Sequence, residues 1–161
     1  MDDPRARLLG VCARRSLLGL AIFQAASTLI GFIQLLFAPQ WYEQMLDGTI
    51  FAGQFVLAAV LLGVVVGGFQ WAAIVVHLRA ARWLALAHTL AGLVMVGWIA
   101  GECLVMDSFQ WMHALWGGAG VAQLVLVLAL LGAFRPLPLL GKSAAEYSQD
   151  SPLKNTPRAQ T

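Results

Sequence analysis

Glu102 and His88 are ionisable side chains within one apolar run of this sequence. Glu102 ends the run Gly97-Trp-Ile-Ala-Gly-Glu102, and His88 stands in the same apolar stretch. Such groups are costly in hydrocarbon and are often functional. His88, Gly92, Met95, Ile99 and Glu102 follow a 4-3-4-3 spacing, which puts them on one helix face. That face should look into a bundle, because lipid would penalise both polar ends. At 1.5 Å per residue, His88 and Glu102 are about 21 Å apart along the axis and cannot act as a pair. Each needs its own partners. For Glu102 the choice is between a boundary carboxylate bonded to a polar neighbour and a proton or ion site.

Amides are the other candidates. Gln24, Ser27, Gly31 and Gln34 share a face at 3-4-3 spacing, and Gln54, Gln70 and Gln123 add polar groups from other segments. By depth, Gln34 and Gln54 belong with Glu102, whereas Gln24 and Gln70 belong with His88. Glu102, Gln34, Gln54 and His88 therefore form the candidate ligand or proton site. An interhelical hydrogen bond in a membrane contributes about 0.6 kcal/mol on average, so amides that only hold a bundle together are the plainer reading. His77 and His88 flank the short Arg79–Arg82 link and raise bis-His haem, which requires facing imidazoles. His113 belongs to the opposite boundary. Structural histidines are the simpler reading, and no cofactor is expected. The sequence shows no metal-ligand cluster, CxxC, phosphate loop or nucleophile motif, so no catalytic residue is assigned.

The elements that must position these groups follow from composition. Of 161 residues, 60% are hydrophobic and 11% charged, with mean hydropathy +0.76. A soluble domain is about 45–50% apolar and about 25% charged. A water-soluble monomer, a disordered chain and a nucleic-acid binder are excluded. Crossing about 30 Å of hydrocarbon takes about 20 apolar residues. Four stretches meet that length: 16–38, 50–78, 83–105 and 113–134. None of the prolines falls inside them. Pro39 and Pro136 are expected to close the first and fourth, and all four helices to run unbroken. The first apolar stretch continues to Phe37, past any signal cleavage point, so it is read as an uncleaved helix.

Every Lys and Arg falls in three segments: before the first span, in the Arg79–Arg82 link, and after the fourth span. The other two links hold Glu43, Asp47 and Asp107. The positive-inside rule then places both termini in the cytoplasm. The expected fold is an all-α, four-helix transmembrane bundle. It has a basic cytoplasmic N-terminus at 1–15, a transmembrane domain at 16–134 and a disordered polar tail at 135–161. Cys12 and Cys103 fall at opposite faces and should stay unlinked. Gly63-Val-Val-Val-Gly67 and Gly97-Trp-Ile-Ala-Gly101 are both GxxxG, which serves intramolecular packing and dimerisation alike.

Phe32-Ile-Gln-Leu-Leu-Phe-Ala-Pro39 and Gly97-Trp-Ile-Ala-Gly-Glu102, followed by Phe109-Gln-Trp-Met-His113, resemble segments of small bacterial four-helix membrane proteins of the DoxX-like type. The resemblance implies a bacterial inner-membrane address and carries over no catalytic residue. The expected function is that of a non-enzymatic accessory or scaffolding subunit. Its partners would be the lipid bilayer and either a second copy or another membrane protein. The alternative is a small proton- or cation-coupled transporter using Glu102 and an amide-lined interior.

Overall fold

A computed structural model describes the backbone of residues 4–132 and the side chains of residues 8–132. The expected tail at 135–161, Pro136 and the last residues of the fourth expected span lie outside the described residues. Every regular element described is helical. The first helix, α1 (Pro4–Phe37), starts on a proline, whose missing N–H costs nothing at that position. It stops just before Pro39, which opens a single 3-10 turn, Pro39–Trp41, followed by the short α2 (Glu43–Leu46). Gly48 and Gly53 then take left-handed conformations, with φ 74° and 70°. These turns delay the second long helix to Phe55, five residues beyond the expected start at 50.

That helix, Phe55–Arg79, consists of α3 (Phe55–Val60), a π-helical stretch Leu61–Val66 and α4 (Gly67–Arg79). The helix runs unbroken as expected, but six of its residues take π rather than α geometry. Absence of proline does not guarantee α-geometry, and π turns occur inside otherwise continuous helices. A 3-10 turn, Ala81–Trp83, leads into α5 (Leu84–Met106). Asp107 ends α5 in the left-handed region at φ 44°, a conformation that Asp tolerates better than most residues. The last described helix is α6 (Trp111–Leu130), and Gly132, at φ 82°, closes it ahead of Pro136.

Four helices are thus long and apolar enough to cross a membrane. They form a bundle in which each long helix packs chiefly on its sequence neighbours, and α1 closes the ring on α6. α1 and α5 face each other across one diagonal. One end of the bundle is basic, with Arg14, Arg15, Arg79 and Arg82; the other carries Glu43, Asp47, Glu102 and Asp107. At the basic end the Arg82 guanidinium lies 5.7 Å from the Trp83 ring centroid. Large apolar side chains such as Ile22, Ile30, Val64, Leu93, Leu104 and Val125 point outward, far more apolar surface than a water-exposed bundle carries.

Glycines set two of the seams. A Cβ on Gly63 would lie 2.5 Å from the Phe32 ring, and one on Gly67 would lie 2.8 Å from the Thr28 hydroxyl. This GxxxG therefore seats the second long helix on α1. Gly92 and Gly120 bring α5 against α6, each facing the other's carbonyl at 3.2–3.3 Å from the ideal Cβ. Gly97 and Gly101 behave differently: a Cβ on either would meet nothing within 4 Å. The second GxxxG is not a packing seam. It borders a cavity.

Candidate functional site

The polar residues of the interior divide into two groups. Nearer the basic end, each long helix contributes one fully buried polar side chain: Gln24 from α1, Gln70 from α4, His88 from α5 and Gln123 from α6, all 0% exposed. The three amides form a head-to-tail ring. Gln70 Nε2 donates to Gln24 Oε1 at 2.6 Å, Gln24 Nε2 to Gln123 Oε1 at 3.3 Å, and Gln123 Nε2 to Gln70 Oε1 at 3.4 Å. Gln70 also donates to the Ala91 carbonyl at 3.1 Å. Gln123 Nε2 lies 2.9 Å from His88 Nδ1. An amide nitrogen can only donate, so His88 Nδ1 accepts and its proton sits on Nε2. That proton is donated to His77 Nδ1 at 2.9 Å, with the rings edge-on at 89°. The two imidazoles are thus bonded directly to each other in this arrangement.

Among the described residues, no buried side-chain N or O lacks a partner. The knot is thus saturated. Such a network rigidifies a core because every member depends on the others.

The second group lies toward the acidic end, where the centre is not filled. Two cavities, of about 240 and 300 Å³, adjoin there. Tyr42, Met45, Leu62, Trp98, Glu102 and Met106 line both, so Glu102 stands at their junction. The smaller lobe is walled by Leu46, Ile50 and Phe51 of the first acidic-end loop and floored by Gly97 and Gly101. The larger lobe reaches inward to Thr28 and Met95, and outward to Gln110, Met112 and His113. Gln24 and Thr28 are one turn apart on α1, so the knot closes the inner end of the larger lobe.

Glu102 keeps a side-chain exposure of 30%, and its Oε2 is 3.9 Å from Nε2 of the nearly buried His113. That is beyond hydrogen-bonding distance. His113 Nδ1 accepts the Gln110 backbone N–H at 3.0 Å, while the Gln110 side chain caps α6 in return. This reciprocal cap occupies Nδ1 and leaves the Nε2–H directed at the carboxylate. Tyr42 folds back from the loop and donates its hydroxyl proton to Gln34 Oε1 at 2.6 Å. Burial, and secondarily the Glu102 charge, raise the Tyr42 pKa above the ordinary phenol value.

The structure therefore gathers the sequence candidates unevenly. Gln34 and Glu102 line the same lobe, with Tyr42 between them. Gln54 is exposed at the N-cap of α3 and lines neither lobe. It stands there because Gly53 delays the helix and leaves Gln54 above the bundle. His88 belongs to the knot and not to the Glu102 site. Sequence reasoning missed Tyr42, a loop residue whose return to the bundle no periodicity announces. It also set His113 aside, although residues on either side of a tight turn at one depth are natural neighbours. Trp98, unexplained by its place in the third span, is part of the wall shared by the lobes. The methionines of the described chain (Met45, Met95, Met106 and Met112) all line the larger lobe.

Comparisons with protein-family models, curated proteins and solved structures give no match.

Proposed function

We propose that this chain is a non-enzymatic inner-membrane protein, an accessory subunit with both termini in the cytoplasm, that holds a small apolar molecule in its outer half. The observation carrying this reading is the pair of lobes around Glu102, closed on the inner side by the knot. Ligand pockets are typically apolar, with few well-placed polar groups and volumes from about 300 Å³. The larger lobe reaches that range and the smaller adjoins it, both largely apolar, and flexible methionines adapt to varied shapes. Orientation follows from the one-sided basic residues, and the inner-membrane address from the resemblance to small bacterial membrane proteins. Reporter fusions after Asp47 and Asp107 should read external, and one after Arg82 internal.

The pocket reading is tested by thermal melting in detergent, followed by tryptophan fluorescence. Small apolar compounds that are cationic, neutral or anionic are compared on wild type and on Gly101→Leu. That substitution fills the smaller lobe and clashes with nothing near its Cβ. At least one class should raise the melting temperature of wild type and not of the variant. If none does, the pocket reading is wrong.

The approach of Glu102 to His113 favours a second reading, a proton-coupled carrier. It requires a route past the knot. Proteoliposomes with an imposed pH gradient decide between the two: the carrier gives a proton flux abolished by Glu102→Gln, and the binding protein gives none.

A further inference from the structure

We propose that the smaller lobe takes a hydrophobic organic cation of single-ring size, its charge at Glu102 and its apolar body among Phe51, Trp98 and Leu46. The inference rests on the pocket reading and names the ligand class of that site.

The first warrant is the chemistry of the wall. Glu102 is the only charged residue lining this lobe, which contains no Lys, Arg or His among its described lining. The one hydroxyl, on Tyr42, has its proton committed to Gln34. The Trp98 indole N–H is a neutral donor toward Glu102, and the rest is aliphatic, aromatic, thioether or glycine. No Lys or Arg occurs anywhere between Arg15 and Arg79 or between Arg82 and Arg135, so neither helix ends nor acidic-end loops supply a fixed counter-charge. A carboxylate in such a place is stabilised by an incoming positive charge.

The second warrant separates the possible cations. A metal cation needs several oxygen ligands at one point, and the lobe offers a single carboxylate. An organic ammonium carries part of its own solvation as methyl and methylene groups. Aromatic faces attract it further, and Tyr42, Phe51 and Trp98 supply them. An anion would meet Glu102 directly, while a neutral body would leave its charge uncompensated. The third warrant is position. His113 and Gln110 lie in the other lobe, so His113 approaches Glu102 from that side and leaves the smaller lobe free to bring a ligand to the carboxylate. The volume, about 240 Å³, suits one substituted ring.

The test uses benzyltrimethylammonium and its uncharged carbon isostere, neopentylbenzene, with the full-length protein in neutral detergent. Binding is read by quenching of tryptophan fluorescence, with a melting curve on each variant to establish folding. Benzyltrimethylammonium should bind wild type, and neopentylbenzene should bind about tenfold or more weakly. Glu102→Gln should weaken the cation by a similar factor and leave the isostere unchanged. Gly101→Leu, which keeps the carboxylate, should abolish binding of both and so fixes the lobe; if Glu102→Gln does not fold, the difference between the two probes on wild type decides the charge. Equal binding of the two probes, or cation binding indifferent to Glu102→Gln, overturns the cation assignment and leaves the pocket reading intact. Binding of neither probe also overturns it, and the broader melting panel then decides the pocket reading separately.

Discussion

Replacing Gln123 by leucine isolates the knot, because the two side chains are similar in size and differ in hydrogen bonding. Gln123 donates to His88 at 2.9 Å and to Gln70 at 3.4 Å, and accepts from Gln24 at 3.3 Å. Three bonds at the membrane average of about 0.6 kcal/mol give roughly 2 kcal/mol. All partners are 0% exposed, so no water replaces the lost groups. Orphaned buried groups cost about 1–3 kcal/mol each, partly offset by the added apolar contact of leucine. The expected loss is therefore about 2–4 kcal/mol. Ser27→Ala is the control. Its hydroxyl bonds only the Phe23 carbonyl of its own helix, at 2.8 Å, and should contribute under about 0.5 kcal/mol. SDS-induced unfolding in mixed micelles measures both. The double variant Gln24→Leu/Gln123→Leu removes donor and acceptor of one bond together. It should cost less than the sum of the singles by about 1 kcal/mol. A Gln123→Leu cost below about 0.5 kcal/mol, or strict additivity, would refute the ring of amides as drawn.

Two further outcomes follow from the same geometry. Gly63→Ala should destabilise by about 1–3 kcal/mol, since its methyl enters the Phe32 ring at 2.5 Å, whereas Gly97→Ala should be neutral or stabilising; unfolding midpoints that rank the two the other way would contradict the assignment of seams. Tyr42 should titrate above the ordinary phenol value in the folded protein. The unfolded chain then loses its phenolic proton first, so the stability contribution is present below about pH 10 and is lost as pH rises through the folded value. Tyr42→Phe should flatten that alkaline decline, and phenolate absorbance should show one fewer late-titrating tyrosine.

Periodicity and depth made much of the interior legible. The 4-3-4-3 face of the third span puts His88, Gly92 and Met95 in the buried core, and the depth argument places Gln24, Gln70 and His88 together. Hydrocarbon leaves few alternatives for such groups, which is why a pattern alone sufficed. The acidic end resisted because its form depends on backbone choices with weak sequence signals. Gly53 shifts a helix start and moves Gln54 outside. A folded-back loop brings Tyr42 to Gln34. The two GxxxG motifs look alike in sequence and differ in what lies opposite. Phe32 meets Gly63, while Gly97 faces empty space, and only the three-dimensional arrangement tells a seam from a cavity floor.

Sidedness of cysteine labelling tests most directly whether the Glu102 cavity belongs to the outer half and ends at the knot. In a Cys12→Ser/Cys103→Ser background, Gly101→Cys lines the smaller lobe, and Ala91→Cys sits at the fully buried carbonyl that receives the Gln70 bond. A small membrane-impermeant thiol reagent should label Gly101→Cys in right-side-out vesicles and not in inside-out ones, and should label Ala91→Cys in neither. Labelling of Gly101→Cys from the inner side, or of Ala91→Cys from either side, would mean that the interior opens through the knot, and the outward-facing binding site would be contradicted.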